Sequence, residues 1–327
     1  MPHVIAEDLR KSFRVAERRP GALGAIAGLV ARRHRVVRAI DGISFAIEQG
    51  ELVGYIGPNG AGKSTTVKVL SGILVPDGGR IEVLGRVPWR ERIEHVRRIG
   101  VVFGQRTQLW WDLPVLESFE LLRDVYRVEP SRYRRTLEEL ISLLDLGPLL
   151  DTPVRQLSLG QRMRCDLAAS LIHAPAMLFL DEPTIGLDAI SKLAVRDFVR
   201  RLNRERGVTV ILTTHDMDDI EALCSRVILI HRGRILYDGS IEALRARVTN
   251  ERELVVDLRD DAVTVADHEA IAVRQEGHRA RISYDPQRVA TPDLIARITA
   301  RYPVADLVVE NPPIEEIVAR LYRAVDA

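Results

Sequence analysis

The sequence predicts an α/β chain in which a parallel-sheet domain built around a phosphate-binding loop precedes a small α+β domain. Three observations predict it. The run Gly57-Pro58-Asn59-Gly60-Ala61-Gly62-Lys63-Ser64-Thr65 fits the pattern G-x-x-x-x-G-K-[ST] in full. It lies between an apolar stretch, Leu52 to Ile56, that reads as a buried strand and Thr65 to Leu70, which reads as the start of a helix. Two further apolar runs end abruptly in polar groups: Met177 to Leu180 at Asp181-Glu182-Pro183, and Val208 to Thr214 at His215. Buried parallel strands end in this way where a sheet edge meets a ligand.

Taken in order, Val4 to Leu9 reads as a first strand, and Val36 to Ile47 as one or two more, with Asp41-Gly42 as a candidate turn. Between them, 15–35 forms a basic insertion. Arg18 and Arg19 stand at one end, Arg32, Arg33 and Arg35 at the other, and Leu23, Ile26, Leu29 and Val30 have the spacing of a short amphipathic helix. It suits either a peripheral contact with anionic lipid or a surface hairpin with solvated charges. Arg80 to Leu84 and Ile99 to Phe103 read as strands, the second ending near Gln105. Trp110-Trp111 follows, as core or as a docking surface. Helical patterns then run from Val115 to Tyr126 and Ser131 to Leu144. Ser158 is placed to cap a helix reaching about His173, and another helix is expected from Ala189 to about Arg206.

Past about Arg247 the texture changes. Short half-buried strands are expected at Glu251 to Leu258, Ala270 to Val273 and Arg279 to Tyr284, and helices at Thr291 to Ala300 and Pro313 to Tyr322. The expected division is 1–244 and 245–327, the second part regulating or dimerising.

Composition sets bounds. The 327 residues suffice for about two domains. A net charge of +1 argues against general nucleic-acid binding, and no nucleic-acid partner is expected. Two isolated cysteines make neither a disulfide framework nor a zinc site. The sequence offers no membrane span and no signal-peptide pattern, so work at a membrane requires another chain to do the spanning.

The residue types at the strand ends define a chemistry. Successive N–H groups of the Gly57–Thr65 loop point at phosphate oxygens, and the following helix adds its positive end. Lys63 reaches the β- and γ-phosphates, and the Ser64 hydroxyl suits Mg²⁺. Asp181 suits the Mg²⁺ shell beside Ser64, and Glu182 suits polarising an attacking water. His215 emerges at the same edge, within reach of a γ-phosphate, and Gln105 could reach Mg²⁺ or the water.

In the order and type of these motifs the chain resembles the ATP-binding subunits of ABC (ATP-binding cassette) transporters, over roughly Val4 to Leu244. Leu157-Ser158-Leu159-Gly160-Gln161 matches the family's signature, followed about twenty residues later by Asp-Glu-Pro. Gln105 matches the Q-loop, Asp188 the D-loop and His215 the switch. The resemblance implies a P-loop NTPase core with an antiparallel β subdomain and a helical subdomain at about 106–172. It implies ATP and Mg²⁺, and a head-to-tail pair of cassettes, identical or paralogous. In that pair Ser158, Leu159, Gly160, Gln161 and Asp188 serve the partner's ATP. It implies Phe13 on the adenine, where Tyr is more usual, and ATP hydrolysis with Glu182, His215 and Lys63 at the reacting phosphate. The chain is most similar to the exporter branch that moves drugs, lipids or polysaccharides. This implies a separate integral-membrane permease and a place on the cytoplasmic face of the cell membrane. Leu159 departs from the usual Leu-Ser-Gly-Gly-Gln. The competing readings are a soluble ABC ATPase acting on ribosomes or nucleic acid, and a non-hydrolytic regulatory cassette.

Overall fold

The computed structural model describes residues 1–16, 34–104, 106–248, 251–260 and 262–326. Gln105 and most of the basic insertion lie outside the described residues. The chain forms two compact units, Met1–Gly239 and Ser240–Ala327.

The first unit opens with β1 (Pro2–Ala16), β2 (His34–Glu48), β3 (Leu52–Ile56), α1 (Lys63–Leu70), β4 (Gly78–Val83), α2 (Arg92–Val96) and β5 (Ile99–Phe103). A helical stretch follows: α3 (Val115–Tyr126), α4 (Pro130–Leu144) and α5 (Leu159–Leu171). It closes with β6 (Met177–Asp181), α6 (Ala189–Arg206), β7 (Thr209–Thr213), α7 (Met217–Leu223), β8 (Arg226–His231) and β9 (Arg234–Ser240).

Strands β5-β6-β7-β3-β8-β9 form one sheet in that order, and the neighbours from β5 to β8 pair in parallel. Every residue of β3 and β7 is buried, as expected where helices cover both faces. A second, antiparallel sheet runs β2-β1-β4. The candidate turn at Asp41-Gly42 is a bulge inside one long strand. Leu9 pairs with Ile43 and Arg10 with Asp41, so Gly42 is the extra residue, with φ 78°. Of the two readings, one strand or two, the single strand holds, because β1 offers β2 a continuous partner that overrides the turn preference of Asp-Gly.

Helix α1 joins the two sheets. Its Val67 and Leu70 pack in one core with Val4, Ile40 and Ile47 of the antiparallel sheet and Tyr55, Phe179 and Ile228 of the parallel one. Each such aliphatic burial contributes about 1.5–3 kcal/mol, which fixes the loop before α1 to the scaffold.

His173, just past α5, fastens the helical stretch to β5. Its Nε2–H donates to Ile99 O at 2.8 Å, and its ring stacks on Tyr126 with centroids 3.9 Å apart. Burial pushes its pKa down from 6.5 to about 4. Here the unfolded chain takes the proton first, so the contribution is complete above pH 6.5 and lost as pH falls toward 4. It is worth up to about 3 kcal/mol. Urea unfolding at pH 7 and pH 5 should show this slope, and His173→Gln, which can keep the bond to Ile99, should flatten it. An unchanged slope in that variant would assign it to other groups.

The second unit holds α8 (Ile241–Val248), β10 (Arg252–Leu258), β11 (Ala272–Glu276), β12 (Arg279–Tyr284), α9 (Thr291–Arg301), β13 (Val304–Glu310) and α10 (Ile314–Asp326). The division falls at Gly239 rather than at 244 because α8 packs against α10. The sheet runs β11-β12-β10-β13, antiparallel throughout. Strand β13 has no counterpart in the sequence reading. Its valines Val308 and Val309 are exposed, so it lacks the buried face that gives a strand its pattern. Leu254, Val256, Ile282 and Tyr284 pack with Leu294 and Ile298 of α9.

Candidate functional site

Parallel register brings the site together. Asp181 pairs with Phe103 on one side and Thr213 on the other, and Gly54 pairs with Leu212. The loop after β3, Gly104, Glu182 and His215 therefore leave the sheet at one edge. A cleft of about 760 Å³ opens there. Gly57, Pro58, Asn59, Gly60, Gly62, Lys63, Ser64 and Thr65 line one wall; Glu182, Ile185 and His215 line another. Phe13, Val37 and Ala39 complete it. Ala61, of the same loop, is buried beneath.

Gly62 caps α1 in the left-handed region at φ 113°, and a Cβ there would meet Ala39 O at 2.3 Å. Only glycine lets the loop pass so close to β2. Lys63 is 7% exposed, and its Nζ donates to Gly57 O at 2.6 Å and Pro58 O at 3.2 Å. Burial lowers its pKa, opposed by the charges of Glu182 and Asp181. The ammonium is thus held inside the loop's own curve by carbonyls that phosphate oxygens would outcompete.

Ser64 Oγ donates to Asp181 Oδ1 at 3.4 Å, and the Thr213 hydroxyl donates to the same oxygen. A hydroxyl and a carboxylate side by side are hard oxygen donors. They suit Mg²⁺, which typically takes one or two protein ligands and completes its shell from phosphates and water. Among the described residues no cluster of three or more His, Cys, Asp or Glu could hold a metal alone. The arrangement thus fits a cation shared with a phosphate ligand.

Glu182 lies at φ 58°, unusual for glutamate. Its N–H donates to Thr213 O at 2.8 Å, and Gly104 N–H donates to Asp181 O at 2.7 Å. Those bonds hold a conformation that costs on the order of 1–3 kcal/mol. The result turns the carboxylate toward His215, whose Nδ1–H donates to Glu182 Oε2 at 2.6 Å. The histidine side chain is 63% exposed against 19% for the glutamate. A carboxylate so placed can accept a proton from water, and the imidazole can orient it.

Behind the pair, the fully buried Asp219 of α7 accepts from Thr184 and, at 2.5 Å, from Arg196 Nε of α6. Lys192 and Arg196 also pair with Asp216, next to His215. The segment after Glu182 is therefore tied to α7, and the segment after His215 to α6.

The Ser158–Gln161 segment and Asp188 are absent from the cleft lining. They meet each other instead. Ser158 and Gln161 form a capping box at α5: Gln161 N–H donates to Ser158 Oγ at 3.2 Å, and Ser158 N–H donates to Gln161 Oε1 at 2.9 Å. Asp188 caps α6 by accepting from Ser191 N–H at 2.9 Å. Leu159, the departure noted above, lies over Gly186: its Cδ2 is 2.9 Å from where a Cβ on Gly186 would stand, and Gly186 has φ 70°. Gly160 faces Ser191 and Asp188 in the same way. The unusual leucine therefore fills the hollow left by a glycine of the loop before α6.

Sequence reasoning missed Thr213, Gly104, Arg196 and Asp219. Thr213 and Gly104 were findable, since Thr213 ends β7 in register with Asp181 and Gly104 directly follows Phe103, the partner of Asp181 on β5. The other two emerge only from helix packing.

Residues 40–185 match the family model described as ABC transporter. The daunorubicin resistance ATP-binding protein DrrA3 of Streptomyces coeruleorubidus is 40% identical over 69% of this chain and 71% of its own length. The chain belongs to the ABC transporter family of ATP-binding proteins. This cassette is an ATPase.

The ABC transporter ATP-binding protein NatA of Bacillus subtilis is 34% identical over 65% of this chain and 86% of its own. The linearmycin resistance ATP-binding protein LnrL of Bacillus subtilis is 31% identical over 86% of this chain and 93% of its own. Among solved structures, a dimeric post-hydrolysis ATP-binding cassette bound to ADP and Pi is similar at TM-score 0.60 and 25% identity, covering 73% of this chain and 98% of that one. The nucleotide-binding fold is thus that of the family, with an antiparallel sheet and helical elements around the P-loop core.

Proposed function

We propose that this cassette powers export of a small molecule through a separate membrane permease. The observation that supports this most is the 40% identity, over 225 residues, to a relative named for daunorubicin resistance. No described helix is long and apolar enough to cross a membrane, so in this reading the pore belongs to another chain. Trp110 and Trp111, 41% and 50% exposed, offer that chain an aromatic surface. In the same reading the basic insertion 15–35 meets anionic lipid headgroups.

In the proposed cycle the Gly57–Thr65 loop cradles the phosphates of ATP, and Phe13 supports the adenine. Ser64 and Asp181, with Gln105, would hold Mg²⁺, which supplies charge neutralisation at the β- and γ-phosphates. Lys63 neutralises the same oxygens directly. Glu182 accepts the proton of the attacking water, and His215 orients Glu182 and contacts the γ-phosphate. The Ser158–Gln161 segment and Asp188 serve the ATP of a second cassette. Their separation from this chain's own cleft, and their mutual contact, support that division of labour. Ser158 Oγ accepts within its capping box, so its O–H remains available to donate outward. ATP closes the pair and hydrolysis reopens it.

Affinity capture of the tagged full chain from detergent-solubilised native membranes, followed by mass spectrometry, tests the transport reading. Stoichiometric recovery of a polytopic membrane protein supports it. Recovery with ribosomes or nucleic acid, or alone in the soluble fraction, refutes it.

A further inference from the structure

We infer that Asp166 is a positioning residue that straps the segment after Gln105 onto the helix beginning at Ser158, so that the two act as one body during ATP hydrolysis. Asp166 sits two turns into α5 and is 5% exposed. Its Oδ1 accepts from Thr107 Oγ1 at 2.8 Å and from Gln108 N–H at 3.0 Å. Gln108 Nε2 donates to the Asp166 carbonyl at 2.9 Å, and Thr107 Oγ1 also accepts from Leu109 N–H at 3.1 Å. The loop is therefore folded around this one carboxylate.

Two further ties lie along the same face. The Arg162 guanidinium stands 5.6 Å from the Trp111 ring centroid. Arg155, just before the signature, donates to Asp112 at 2.6 Å, and its N–H donates to Trp111 O at 3.0 Å. The outer ties are solvent-exposed and individually weak, whereas the Asp166 bonds are shielded from water. Asp166 is thus the fixed point of the strap. Burial pushes its carboxyl up to about 6, opposed by the Gln108 N–H, the Thr107 hydroxyl and Arg162. A carboxylate kept in so unfavourable a place marks a position where its hydrogen bonds matter more than its charge.

The functional consequence follows from what each end carries. Trp110 and Trp111 form the surface proposed for the permease, and Ser158 and Gly160 form the segment proposed for the partner's ATP. A displacement felt at the tryptophans reaches Ser158 only if 107–112 and α5 move together. The inference rests on that reading of the signature.

The test is steady-state hydrolysis by the full chain across a range of Mg²⁺-ATP concentrations. Asp166→Ala should lower kcat about tenfold, the scale of losing one or two buried hydrogen bonds, and leave KM for ATP within about twofold. Asp166→Asn should stay within about twofold of the parent, because both donors converge on one oxygen that an amide can replace. Amide hydrogen exchange over 106–112 should quicken in the alanine variant and not in the asparagine one. Thr107→Val removes one donor without touching α5, so it keeps the test alive if Asp166→Ala does not fold. It should lower kcat in the same direction, and in combination with Asp166→Ala it should add nothing. Full turnover in Asp166→Ala, a rise in KM with kcat unchanged, or equal damage from asparagine and alanine would each overturn the inference. Failure of the signature reading is separable. It would leave Glu182→Gln monomeric in ATP whatever residue stands at 166.

Discussion

Glu182→Gln is expected to bind ATP within about twofold of the parent chain while its hydrolysis falls by about 10²–10⁴-fold, the usual range for a general base. The expectation comes from geometry. Glu182 is the carboxylate turned into the cleft, and its left-handed backbone and the His215 bond at 2.6 Å aim it. Asp181 points instead at Ser64 and Thr213, so it is not positioned to replace Glu182. Glutamine keeps the shape and the bond to His215 but cannot take a proton from water. Colorimetric phosphate release, with ATP affinity measured in parallel by calorimetry, separates the two effects. Hydrolysis near the parent rate would remove Glu182 from its role and move attention to His215 or Asp181.

Lys63→Ala is expected to weaken ATP binding by about 100-fold, the scale of losing charge-assisted hydrogen bonds in a shielded site. The side chain is buried inside the loop, and burial lowers its pKa. Such an ammonium is held at a cost in solvation that phosphate charge would repay. The loop's fold should survive, because Gly62 and the core side of α1 set its path, and among the described residues Lys63 bonds to the loop's own carbonyls. Calorimetric titration with Mg²⁺-ATP checks this, and an unchanged affinity would contradict it.

Much of the site was legible because its residues lie at strand ends, where an apolar run stops and a polar residue begins. Gly57–Thr65, Asp181, Glu182 and His215 are read in this way, and parallel register does the rest. Interactions that depend on which elements pack together were not legible. The Arg196–Asp219 ion pair and the Asp166 strap join helices or loops far apart in sequence. Leu159 read as a departure from a pattern, yet it has a local cause in the hollow over Gly186. In the fold, the Gly42 bulge and β13 escaped because pairing with β1 and β10 outweighed local preference.

In the proposed cycle one chain's phosphate loop is completed by another chain's signature segment. The most direct measurement is the solution mass of the full-length Glu182→Gln chain by light scattering, with and without Mg²⁺-ATP. The expected mass is near that of one chain without nucleotide and near twice that with it, and the increase should vanish when Ser158 is also replaced by a bulky residue. A mass that stays at one chain in saturating ATP, or doubles without regard to Ser158, would contradict it.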